Sequence, residues 1–212
     1  MKEYLEAGRY IDSEHPAVID FSRKNASGND ARERAVSLYY AVRDAIRYNP
    51  FLDFSRDESF QASRCIAAGE GFCIGKAALL AASARADGIP ARVGFADVKN
   101  HLTTPALRAR MGSDLFIYHG YSELWLEGKW VKATPAFNLE LCRRFRVKPL
   151  EFDGREDSIF HPFDEEERRH MEYLRDRGSH ADVPVPEIMK AFREFYPALY
   201  GLGRAAAKER FG

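Results

Sequence analysis

The spacing of apolar and polar positions divides this chain into helical and strand-like stretches. Ala35, Val36, Leu38, Tyr39, Val42, Ala45 and Ile46 recur at three- and four-residue intervals, which predicts an amphipathic helix. Asp30 followed by Glu33 is the capping box expected at its start, and Asn49-Pro50 ends it. Residues 77–86 are rich in alanine and predict a second, tightly packed helix reaching about residue 87. Gly88 stands where a left-handed C-terminal cap belongs, and Ile89-Pro90 stops any continuation. Residues 91–98 then have the composition of a strand, laid beside the helix by the Gly-Ile-Pro turn.

Residues 118–126, Glu127-Gly128 and residues 129–134 predict a β-hairpin with a two-residue turn. Counting outward pairs Leu126 with Lys129, Trp125 with Trp130, Glu123 with Lys132 and Tyr121 with Thr134. Alternation puts His119, Tyr121, Glu123 and Trp125 on one face with Trp130, Lys132 and Thr134, and makes His119 and Thr134 diagonal neighbours. The rest of the chain is less regular. Residues 1–29 read as a short helix or extended lead-in and then a turn, 51–70 as a loop with a short helix near 61–67, and 99–115 as a long polar loop containing His101. Residues 139–160 read as charged and irregular. Residues 164–177 read as an exposed helix whose acidic start, Asp164-Glu165-Glu166-Glu167, complements the helix dipole. Ile188, Met189, Phe192, Phe195, Tyr196 and Leu199 define one face of a last helix expected to dock on the body of the protein.

Composition narrows the function classes. At 212 residues the chain is long enough to bury a real core, and 45% apolar with 13% aromatic residues are globular values. Lysine plus arginine and aspartate plus glutamate balance at 32 each, so charge offers no argument for nucleic acid or an anionic membrane. The first residues carry acids and lack the apolar run of a signal peptide, and no stretch approaches a membrane span. Cys65, Cys73 and Cys142 cannot all pair and fit no zinc spacing, so free thiols in a cytoplasmic setting are expected. His161, Asp164, Glu167 and His170 are the one set of potential metal ligands, without a spacing that requires a metal.

The candidate chemistry centres on Gly71-Phe72-Cys73-Ile74-Gly75, which opens the alanine-rich helix. A thiol in a first helical turn meets unpaired N–H groups and the positive end of the dipole, and both favour the nucleophilic thiolate. The alternative is a small buried hydrophobe, the usual role of a free cysteine. A thiolate nucleophile needs a base within reach, and that imidazole needs a third group to hold its tautomer. His119 on a strand and Thr134 on its neighbour supply those types.

With these stretches the chain resembles the transglutaminase-like superfamily, papain-related cysteine enzymes. The likeness covers residues 31–135, about half the chain. It rests on Gly71-Phe72-Cys73 leading a helix, on Ala86-Asp87-Gly88-Ile89-Pro90-Ala91-Arg92, and on His119 followed by Glu123, Gly128, Trp130 and Pro135. It implies an α+β fold in which a nucleophile helix packs on an antiparallel sheet. The expected organisation is a catalytic core over 1–138 and a helical extension over 139–212 packed on it. The implied activity is acyl transfer on a peptide or small amide through a thioester on Cys73, resolved by hydrolysis rather than cross-linking, without metal or cofactor. Catalytic roles fall to Cys73, His119 and Thr134. The family usually carries an aspartate where this chain has Thr134, a residue that can orient an imidazole but not stabilise its charge. Asn138, Asp114 and Glu123 are the other candidates for the third role. A degenerate module that binds a peptide or protein partner is the alternative function. Oligomeric state stays open.

Overall fold

The structure is a computed structural model that describes residues 1–100, 108–109, 111–159 and 171–197. Helix α1 (Pro16–Asn25) and helix α2 (Ala31–Ala45) lead the chain. Asp30 caps α2 as expected, accepting the Glu33 N–H at 2.8 Å, and Glu33 reaches back to the Asn29 N–H at 2.7 Å. Strand β1 (Arg47–Tyr48), helix α3 (Ala62–Ala68) and strand β2 (Glu70–Gly71) follow. β1 and β2 pair in parallel, with Tyr48 opposite Gly71, and so fix the chain just ahead of Cys73.

Helix α4 (Cys73–Ala86) is the centre of the molecule, buried at every position from Cys73 to Arg85. Its small residues let α1, α2 and α3 close on some sides and the sheet on another. It ends as the sequence predicts. Gly88 takes φ +79°, Gly88 N–H donates to Arg85 O at 2.9 Å, and Ile89 N–H donates to Ala84 O at 2.9 Å.

The sheet comprises strands β3 (Ala91–Asn100), β4 (Leu115–Leu126), β5 (Lys129–Ala133) and β6 (Met171–His180), in the order β5-β4-β3-β6 and antiparallel throughout. The mixed α+β architecture inferred from the sequence is therefore present. The hairpin register is as counted from Leu126–Lys129 to Glu123–Lys132, with Glu127 and Gly128 both at positive φ. The ladder stops at Ser122–Ala133, one pair short of Tyr121–Thr134. Thr134 N–H instead donates to Ser158 O at 2.9 Å, because the segment around Ser158 runs alongside β5 there. Gly120, Ser122 and Leu124 face α4: Ser122 Oγ donates to Ala77 O at 2.8 Å, and a Cβ on Gly120 would stand 2.9 Å from Ile74 Cα. Tyr121 packs on the other face with Ala96, Val98 and Met171, and Glu123 there pairs with Arg92.

Two expectations need correction. The exposed helix predicted over residues 164–177 is absent where the structure describes it, since 171–180 form strand β6 along the outer edge of β3. Its charges suit an edge strand, where one side meets solvent and charged side chains discourage further pairing. The stretch 139–160 contains helix α5 (Leu139–Phe145), which buries Leu141 and Cys142. Helix α6 (Val185–Phe195) is the expected last helix and buries Val185, Ile188 and Phe192, while Phe195 stays exposed. His101 and the set His161, Asp164, Glu167 and His170 lie outside the described residues.

Candidate active site

Cys73 is the first residue of α4. The N-cap, Phe72, offers no side-chain acceptor, so the first N–H groups of the helix remain available to the sulfur. Backbone N–H groups of Gly120, Ile74 and Cys73 itself act on it. They favour the thiolate, as the sequence suggests, but burial outweighs them and pushes the Cys73 thiol up to about 11. In this closed arrangement the sulfur holds its proton at neutral pH. Cys65 and Cys142 are buried as well, and burial pushes them up to about 12 and about 11.

His119 lies on β4 and is 3% exposed, close to the Gly120 N–H that reaches Cys73. Cys73 and His119 line one cavity of about 50 Å³. Its walls include Phe54, Phe72, Phe116, Ile117, Phe192 and Tyr196, and no charged side chain lines it among the described residues. Tyr121 and Trp125, which share the His119 face by alternation, do not line it. Trp125 instead packs edge-on against Trp130 at 5.3 Å.

Thr134 is 2% exposed, and its Oγ1 has no hydrogen-bond partner among the described residues. The hydroxyl therefore does not hold the His119 imidazole in this conformation. The other candidates for that role are engaged elsewhere. Glu123 takes Arg92 and the Ser179 hydroxyl, the latter at 3.0 Å, and Asp114 takes Arg108 at 2.7 Å. Asn138 Oδ1 accepts the Tyr48 N–H at 3.2 Å.

Sequence reasoning missed the cavity walls. Phe192 and Tyr196 were legible as an apolar helical face, but nothing in their spacing says that the face covers the thiol. Among the described residues no three His, Cys, Asp or Glu side chains group to hold a metal, and no helix is long and apolar enough to cross a membrane.

The sequence matches the transglutaminase-like superfamily over residues 20–135, more than half of the chain. The chain belongs to that superfamily. Among proteins of curated function none matches it. Similar solved structures include a candidate cysteine protease from Cytophaga hutchinsonii, at 17% identity and a TM-score of 0.47 over 84% of this chain. A candidate protease from Parabacteroides distasonis is 16% identical, with a TM-score of 0.42 over 63% of this chain. This transglutaminase-like chain spans 53% of the first of those proteins and 24% of the second.

Proposed function

We propose that this chain is a thiol-dependent acyl-transfer enzyme that cleaves amide or peptide bonds. The supporting observation is the single cavity shared by Cys73, at a helix start, and His119, on the strand beside it. Cys73 passes its proton to His119, and the sulfur attacks the amide carbonyl carbon. The resulting oxyanion is held by the Cys73 N–H. His119 returns the proton to the leaving amine as the thioester forms. Water then gives a proton to His119 and attacks the thioester; the leaving sulfur takes that proton from His119, and the released acid loses its own proton to solvent as a carboxylate. Formation of the thiolate–imidazolium pair has to overcome the burial that raises the thiol. The uncharged walls suit an amide flanked by apolar groups. Thr134 takes the third role once the imidazole is charged, through its buried hydroxyl.

The test is competitive alkylation with iodoacetamide at neutral pH. Cys73 should label faster than Cys65 and Cys142, and His119→Ala should slow Cys73 alone. Equal labelling of the three cysteines would remove the proposal's main support. A second reading, a degenerate module that binds a peptide or protein partner, is favoured by the Thr134 hydroxyl making no hydrogen bond to the imidazole among the described residues. A Thr134→Asp variant with no gain in thiol reactivity, beside a wild-type protein inert toward amides, would select it.

A further inference from the structure

Strand β4 carries one residue more than β3 just before His119. Ala96 pairs with His119 and Val98 with Phe116, so Asp97 alone stands opposite Ile117 and Tyr118. Tyr118 sits at φ +53°, a left-handed conformation that costs a tyrosine about 1–2 kcal/mol. An inserted residue of this kind interrupts the ladder and re-aims the side chains beside it. Both backbone N–H groups of the bulge are taken by side chains. Tyr118 N–H donates to Asp97 Oδ1 at 3.1 Å, and Ile117 N–H donates to the Tyr196 hydroxyl at 2.8 Å. That hydroxyl donates in turn to Leu115 O at 2.7 Å.

Asp97 is 6% exposed and is gripped from β6. Arg177 Nε donates to its two oxygens at 2.9 and 3.0 Å, and Nη2 donates to Oδ2 at 2.7 Å. The same guanidinium lies 4.7 Å from the centre of the Tyr118 ring. A strained residue persists only where its surroundings over-determine it, and here two strands and a forked cation do so. A partly buried ion pair is weak evidence for stability as such.

We propose that Asp97, clamped by Arg177, is a positioning residue: it holds the bulge at Tyr118 and thereby sets the place of the His119 imidazole relative to Cys73. The proposal rests on the reading of Cys73 and His119 as the reacting pair. Asp97 touches neither the substrate cavity nor the reacting atoms in this scheme.

The test follows the His119 ring signal by NMR through a pH titration of the full chain, assigned with His119→Gln, beside the rate of Cys73 alkylation. Asp97→Ala should move the imidazole midpoint by about half a pH unit or more and slow alkylation about 10²-fold. Asp97→Asn keeps an acceptor oxygen for the Tyr118 N–H and should lose less on both readouts. A folded Asp97→Ala protein with a lower melting temperature but an unmoved imidazole titration would overturn the proposal and leave Asp97 a structural residue. Should that variant not fold, Arg177→Gln should show the same displacement in smaller measure, and no displacement would overturn the proposal equally. A wild-type Cys73 that proves unreactive sinks the acyl-transfer reading instead. The imidazole signal then still decides whether Asp97 positions His119.

Discussion

Lys76 lies one turn into α4 from Cys73, fully buried, with its Nζ donating to Arg43 O at 2.9 Å and Ile46 O at 2.6 Å. It thus serves carbonyls at the C-terminal end of α2. Burial pulls this ammonium down from 10.5 to about 7. Between those values the unfolded chain keeps a proton that the folded one has released, so raising the pH favours the fold. The effect is at most about 1.4 kcal/mol per pH unit. The thiols act oppositely. Cys65, Cys73 and Cys142 ionise near 9 when unfolded and at about 12, 11 and 11 when folded, so their contribution is full below 9 and lost as the pH rises through 11. Urea unfolding of the wild type should therefore show stability climbing from pH 7 to 9 and falling above it, and Lys76→Met should flatten the climb. Gly120→Ala is expected to destabilise by about 1–3 kcal/mol and to slow Cys73 alkylation, because the new Cβ meets Ile74 Cα at 2.9 Å. Neither Lys76 nor Gly120 announced its role in the sequence, since each role depends on what a distant segment places against it.

The hairpin and β6 mark the two extremes of legibility among the elements. The hairpin was readable because its period and its Glu127-Gly128 turn are local properties, and the register followed by counting. β6 was not, because an edge strand dense in charge has the composition of an exposed helix and acquires its conformation from pairing with β3. α6 lies between, its buried face foreseen and its position over the thiol not. Tyr196 joins it to the edge of β4 through Ile117 N–H and Leu115 O. Tyr196→Phe should cost about 1–3 kcal/mol by leaving those groups without a partner. Hydrogen exchange should then show faster exchange in α6 and at the Ile117 amide, with α1 and α2 unchanged.

Across the whole molecule, the sheet takes strands from both sides of residue 138, and Arg177 on β6 grips Asp97 on β3. A chain cut after residue 138 should therefore lose native circular dichroism and aggregate, as β3 is left with an open edge and the cavity loses Phe192 and Tyr196. Stable, monomeric 1–138 in size-exclusion chromatography would show that the later residues are dispensable for folding.

The family, the helix that opens at Cys73 with its cap, the hairpin and the pairing of Cys73 with His119 as candidates were all legible in the linear chain. The helix, its cap and the hairpin depend on propensity, periodicity or turn chemistry acting over a few residues, and the family and the candidate pair rest on the resemblance of short motifs. The burial that raises the thiol, the apolar walls around it, the Thr134 hydroxyl without a partner among the described residues and the clamp of Asp97 by Arg177 arose only on folding. Desolvation and buried hydrogen bonding depend on which remote segments meet, and 80 residues separate Asp97 from Arg177.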